Sequence, residues 1–145
     1  MRYFLMLLPV LFLFSCGESK QGESETVIEV DPIEKLKNEA IAIHDEVMPL
    51  MGPIDKLKKD LDAAKEQLVG GEFASEEEIQ DLSGRLHAAN ESMMKWMNDY
   101  ATEVVRKDGV ASEETLEGLK TAVEKVKENM ESAKTDAEAL LAKLK

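Results

Sequence analysis

The chain has 145 residues, of which 30 are acidic and 18 are basic, so its formal net charge is −12 at pH 7. An acidic surface of this kind repels nucleic acid and anionic lipid headgroups, and we expect no nucleic-acid partner. A single cysteine excludes an internal disulfide. The sequence also offers no pairing of nucleophile and base suited to nucleophilic catalysis. We therefore expect a protein that is not an enzyme and has no resident cofactor.

The first 15 residues have the layout of a secretory signal, with Arg2 as the basic end, an apolar run, and Ser15 as the small residue. The apolar run is shorter than the roughly 20 residues that a membrane-spanning helix needs, which favours a cleaved signal. Residues 13–16, Leu-Phe-Ser-Cys, resemble the lipobox of bacterial lipoproteins. This resemblance implies that Cys16 receives a diacylglycerol, that the signal is cut before it, and that the new amino group is acylated.

Lipidation at Cys16 would anchor the chain in a membrane of the cell envelope, because each buried methylene of an acyl chain such as palmitate contributes about 0.8 kcal/mol. We expect an outer-membrane location, on the periplasmic face or at the cell surface. An ordinary signal peptide followed by an unrelated cysteine is the alternative interpretation. Residues 17–30 are mostly polar and predict a flexible tether. The expected organisation is a signal at 1–15, a lipidated cysteine and tether at 16–30, and a helical domain at 31–145.

Apolar residues recur at alternating steps of three and four after residue 31, which predicts three helices, over about 32–69, 76–107 and 113–144. Capping residues mark the expected helix ends: Asp31-Pro32, Ser75 and Ser112 at the starts, and Gly70-Gly71 and Asp108-Gly109 at the stops. Helices of this length joined by short loops pack antiparallel. The predicted fold is all-α, an elongated three-helix bundle of coiled-coil type.

Pro49 and Pro53 interrupt the first predicted helix, because each lacks a backbone donor and clashes with the preceding turn. The apolar spacing nevertheless continues in register through both prolines. We therefore expect a kink with a local widening of the helix, of a kind often found near functional sites. The alternative is a bend that only wraps the helix around its partners.

Folding the second helix back about residue 72 brings together residues whose numbers sum to about 144. Met48 then lies level with Trp96, Met51 with Met93, and His44 with Tyr100. Methionine, histidine and tryptophan side chains therefore converge beside the kink, and they form a candidate contact cluster: His44, Met48, Met51, Met93, Trp96 and Met97.

This cluster has three interpretations. Methionines fill irregular gaps in many cores, and the kink would create such gaps. Thioethers and imidazole also suit Cu(I) or Ag(I), and a tryptophan face supports a cation, which makes the same residues candidate soft-metal ligands. The third interpretation is an adaptable, methionine-lined groove for a peptide or a lipid.

Two motifs together with the lipobox resemble small helical lipoproteins of Bacteroidota, some of which carry the label "viral A-type inclusion protein": His44-Asp45-Glu46-Val47-Met48-Pro49-x-Met51-Gly52 and Met93-Met94-x-Trp96-Met97. The resemblance implies an envelope lipoprotein and supplies no activity and no functional residues. The leading hypothesis is a lipid-anchored structural or protein-interaction module with an unidentified protein partner. The alternatives are a periplasmic protein that binds Cu(I) or Ag(I), and a small helical chaperone. The apolar residues at three-four spacing form one stripe along each helix, called its seam. These seams also allow packing against a second copy of the chain, which would give a homo-oligomer.

Overall fold

A computed structural model describes residues 31–67, 76–106 and 111–144. These residues form four α-helices and two short turns of other helical type, in the order α1 (Pro32–Val47), a 3₁₀ turn (Met48–Leu50), α2 (Met51–Gln67), α3 (Glu76–Tyr100), a π turn (Ala101–Val105) and α4 (Glu113–Lys143). The described part of the chain contains no strand, which confirms the predicted all-α class. The predicted signal, Cys16, the tether and the caps at Gly70-Gly71, Ser75 and Asp108-Gly109 lie outside the described residues.

Two polar contacts show that α2 and α3 are antiparallel. Ser83 donates a hydrogen bond to the carboxylate of Asp62 at 2.9 Å, and Asn90 donates one to Asp55 at 2.7 Å. A step of seven residues forward on α3 is therefore matched by a step of seven residues backward on α2. The heptad spacing of these contacts confirms the coiled-coil-like register that the apolar pattern predicts.

Two ion pairs show that α1 and α4 are parallel. Lys120 lies 2.7 Å from Glu39, and Lys127 pairs with Glu46. Both partners here advance by seven residues in the same direction. The bundle therefore runs up, down and up again, and its longest helix, with 31 residues, spans about 46 Å.

The core consists of the predicted apolar seams, and its depth differs between helices. In α3 and α4 almost every seam position is buried, from Ile79 to Trp96 and from Leu116 to Leu140. In α1 and α2 only every second seam position is fully buried, and the others pack partly exposed against the core. The deeply buried set is spaced by seven residues: Ala40, Val47, Ile54 and Leu61.

Local side-chain chemistry fixes two of the helix starts as predicted. The carboxylate of Asp31 accepts a hydrogen bond from the backbone amide of Ile33 at 3.0 Å, directly before Pro32. The hydroxyl of Ser112 accepts one from the amide of Thr115 at 3.2 Å. Each bond satisfies one of the amides that a helix start leaves without an intrahelical partner.

The backbone change at the prolines differs from the expected widening, because the helix tightens there. Residues Met48–Leu50 form a 3₁₀ turn, in which the amide of Met51 bonds to the carbonyl of Met48. Helix α2 then begins at Met51, so Pro53 lies in its first turn, where an amide would have no intrahelical acceptor. Widening at Pro49 and Pro53 was therefore a wrong prediction, since a tighter turn followed by a new helix start accommodates both rings.

A widened turn does occur, at the end of α3, where the sequence pattern did not indicate it. The amide of Arg106 bonds to the carbonyl of Ala101, five residues earlier, at 3.0 Å. Regular three-four spacing after Trp96 and Tyr100 would bring the acidic residue Glu103 to the core. The wide π turn instead places Val104 there, at 6% exposure.

The interruption at the 3₁₀ turn separates two packing environments. Helix α2 makes close backbone contacts with both α3 and α4, whereas α1 packs mainly on α4. The space between α1 and α3 is consequently spanned by side chains instead of by close backbone packing. This difference positions the residues of the predicted cluster.

We expect Gly84→Ala and Gly118→Ala each to raise the free energy of unfolding by about 0.5–1 kcal/mol. Both glycines lie inside long helices, and a Cβ atom built at either position meets no other atom within 4 Å. Urea unfolding followed by far-UV circular dichroism measures the effect. Ala122→Gly, at an exposed position of the same helix as Gly118, is the reverse control and should destabilise. A loss of stability in Gly118→Ala would contradict the open space seen around this residue.

Candidate functional site

The centre of the predicted cluster is a stack of three rings. The imidazole of His44 lies on the indole of Trp96, with ring centroids 5.4 Å apart and planes inclined by 27°. Tyr100 contacts the same indole at 5.1 Å. The sequence register placed His44 level with Tyr100, but the structure stacks it on Trp96, one turn earlier in α3. These side chains span the space between α1 and α3.

Trp96 holds a fixed position in this stack. It is 3% exposed, and its indole Nε1–H donates a hydrogen bond to the backbone carbonyl of Leu119 at 2.7 Å. A buried tryptophan N–H needs such an acceptor, because leaving it unpaired would cost its hydration. The bond joins α3 to α4 and leaves the indole little freedom to rotate.

His44 is oriented by its neighbour in sequence. Its Nδ1 lies 2.8 Å from a carboxylate oxygen of Asp45, and its side chain is 19% exposed. An ionised carboxylate only accepts hydrogen bonds, so Nδ1 carries the proton in this contact. The lone pair of the neutral ring is then on Nε2, which has no hydrogen-bond partner among the described residues.

The methionines of the cluster divide between the core and its edge. Met93 is fully buried. Met48, Met51 and Met97 are only partly buried against the core. Met94 was not among the residues proposed for the site, yet its 57% exposure makes it one of the two most exposed large apolar side chains in the described ranges. The partly exposed methionines therefore give this level of the bundle an apolar edge.

Asn90 is a buried polar residue of this region that the sequence analysis missed. Its Nδ2 donates to the backbone carbonyl of Met51 at 3.2 Å and to the carboxylate of Asp55 at 2.7 Å, directly after the 3₁₀ turn. Its Oδ1 is buried without a partner in the described structure. The sequence does indicate this role, because Asn90 follows Ser83 by seven residues. Both polar residues therefore occupy the same heptad position, beside the apolar seam.

The ionisable groups with shifted pKa values take part in contacts that support the fold. The pKa of Asp62 is lowered mainly by its hydrogen bond from Lys58, and Ser83 adds to this effect. The pKa of Glu39 is lowered mainly by its hydrogen bond from Lys120. Burial raises the pKa of Tyr100, which belongs to the ring stack.

No known protein family, curated protein or solved structure matches this chain. Within the described ranges, no helix is both long enough and apolar enough to cross a membrane. The same ranges contain no group of three or more histidine, cysteine, aspartate or glutamate side chains placed to hold a metal ion.

We expect Asn90→Asp to lower the free energy of unfolding by about 3 kcal/mol at pH 7, because it sets a second, buried carboxylate against Asp55. Adding Asp55→Asn should recover part of this loss, since it removes the like-charge contact and supplies an amide donor, while the carbonyl of Met51 still lacks the donor that Asn90 provides. Chemical denaturation of the single and double variants measures both effects. Asn90→Leu is the control and should cost less, because it also removes the unpaired Oδ1. Failure of Asp55→Asn to rescue Asn90→Asp would contradict the pairing.

The lowered pKa values of Glu39 and Asp62 predict a loss of stability in acid. A carboxyl whose pKa is lower in the folded chain stabilises the fold above its unfolded pKa of about 4, and this contribution disappears as the pH falls through the folded value. The variant Glu39→Gln/Asp62→Asn should be less stable at neutral pH and lose less on acidification. Urea unfolding at a series of acidic pH values tests this. An identical pH dependence in parent and variant would contradict it.

Proposed function

We propose that this protein is an envelope lipoprotein, anchored through lipid on Cys16, whose helical bundle serves as a non-enzymatic structural or protein-interaction module. The observation that carries the proposal is the sequence Leu13-Phe14-Ser15-Cys16 at the end of an apolar run. That arrangement supplies the small residue and the cysteine that lipid attachment requires. The polar residues 17–30 would then separate the membrane from the bundle.

The ion pairs of the bundle support the proposed structural role, because they join one helix to another. Cross-helix ion pairs join Glu39 to Lys120 and Arg85 to Asp136, the latter at 2.7 Å. Such a pair is the largest cause of the lowered pKa of Glu39 and of the raised pKa values of Lys120 and Lys127, whereas the pKa of Asp62 is lowered mainly by Lys58 of the same helix. The cross-helix ion pairs connect neighbouring helices and favour one register between them.

The methionine-rich edge beside the 3₁₀ turn is the surface that we propose for contact with a protein partner. Met94 is mostly exposed there, and Met48, Met51 and Met97 are partly exposed. Unbranched thioether side chains can adapt to differently shaped apolar partners. A partner would cover this edge while the anchor keeps the bundle near the membrane.

The anchor is tested by replacing Cys16 with alanine in the full chain expressed in a bacterium that lipidates its exported proteins. The parent should sediment with membranes and incorporate labelled palmitate, because two or three acyl chains bind firmly to a bilayer. Cys16→Ala should lose the label and retain its uncut signal, which makes it longer than the mature parent. Cell fractionation with immunoblotting measures the distribution.

Ser15→Ala is the matched control, since alanine keeps a small residue before the cysteine and should preserve labelling. Carbonate-washed membranes distinguish an anchored chain from one that is only adsorbed. A Cys16→Ala protein that still takes up labelled palmitate, or a parent that takes up none, would refute the lipid anchor.

A further inference from the structure

We propose that His44, Met48 and Met97 form a binding site for one soft monovalent cation, Cu(I) or Ag(I), beside the face of Trp96. The structure narrows the residue set that the sequence suggested and adds an orienting group. This assignment does not depend on the lipid anchor, because all of its residues lie in the helical bundle.

Two observed contacts bracket the proposed site. His44 stacks on Trp96 at one end, and Asn90 reaches the backbone of Met51 at the other. Met48 lies between His44 and Met51 on the first side, one turn from the imidazole. On the facing helix, Met97 directly follows Trp96. The antiparallel register therefore places Met48 on the α1 side and Met97 on the α3 side, near the level of the indole on which His44 stacks.

The donor chemistry fits a soft cation of low coordination number. In the neutral imidazole the lone pair lies on Nε2, because Nδ1–H is bonded to the Asp45 carboxylate. Histidines that bind metals commonly donate their other ring N–H to a carboxylate in this way, which fixes the ring and raises its basicity. Two neutral thioethers and an imidazole select Cu(I) or Ag(I) over harder divalent ions.

Trp96 gives the site a rigid aromatic wall. Its hydrogen bond to Leu119 holds the indole before any ligand arrives. The face of an indole attracts a nearby cation through its quadrupole. Because Trp96 is the only tryptophan in the chain, its fluorescence would report directly on an ion bound beside it.

Burial separates the proposed ligands from the methionines that fill the core. Met93 and Met130 are fully buried, so these two already have the role of core packing. Met48 and Met97 also pack against the core, but they are only partly buried and keep some solvent exposure. The same exposure gives an ion a path to their sulfur atoms.

The test is a titration of the full chain in detergent with Ag(I) in chloride-free buffer. Every sample carries Cys16→Ser, so that no thiol competes for the metal. Trp96 fluorescence should change until one equivalent of Ag(I) has been added and then remain constant. Zn(II) at the same concentration should leave the fluorescence unchanged.

Substitution of the ligands should weaken binding without unfolding the protein. Met48→Leu, Met97→Leu and His44→Gln should each raise the Kd for Ag(I) at least about tenfold. Removing a residue that only hydrogen-bonds to a metal ligand already weakens metal binding by about this factor, and these three residues would bind the ion directly. Exchange of methionine for leucine nearly conserves volume, and thermal melts followed by circular dichroism confirm that each variant is folded. Met130→Leu is the control with a buried sulfur and should keep the parental Kd.

Two results would overturn the site. One is an unchanged Trp96 fluorescence after several equivalents of Ag(I). The other is a Kd that stays at the parental value in folded Met48→Leu and Met97→Leu, because the ion would then be bound elsewhere in the chain. A saturable response lost in both variants and retained in Met130→Leu supports it.

Discussion

The missing amide of Pro49 is the constraint on which the shape of this bundle depends. A proline cannot donate the bond that continues an α-helix, and here the chain forms a 3₁₀ turn and begins a new helix at Met51. Helix α1 then packs closely on α4, and α2 packs on both other helices. The ring of His44 reaches Trp96 across the remaining space. The break at Pro49 thus separates the α1 segment that carries His44 from the α2 segment that packs on both other helices.

Polar contacts spaced by seven residues give each helix pair a defined register. Apolar seams alone would tolerate a slide of one heptad, because similar side chains recur at that interval. A slide of one heptad between α2 and α3 would bring Asn90 opposite Asp62, or Ser83 opposite Asp55, so only one of the two observed hydrogen bonds could form. Between α1 and α4 the same slide would reduce the two ion pairs of Lys120 and Lys127 to one. A few polar groups therefore favour one register of the helices, whereas the aliphatic core supplies most of the stability.

The sequence predicts the features of this fold that depend on local chemistry. Three-four spacing is enough to predict the helices, and the caps at Asp31 and Ser112 follow from side chains within reach of the first turn. The tightening at Pro49 does not follow from the sequence, because tight and wide turns both tolerate the ring and packing decides between them. Asn90 was missed because its burial depends on a helix distant in sequence. The depth of Met93 likewise depends on neighbouring helices.

The π turn after Tyr100 bears on how this chain tolerates changes in length. Residues 101–105 contain one residue more than a regular helix of the same span would hold, and the bundle absorbs it without a break. A deletion at this point would convert the wide turn into an ordinary one and leave the helix intact. Insertions and deletions usually survive in loops, because a changed residue count inside a helix rotates every later side chain. Residues 101–105 lie within a helical segment, yet a one-residue deletion there should be tolerated as it would be in a loop, because few core residues follow them in that segment.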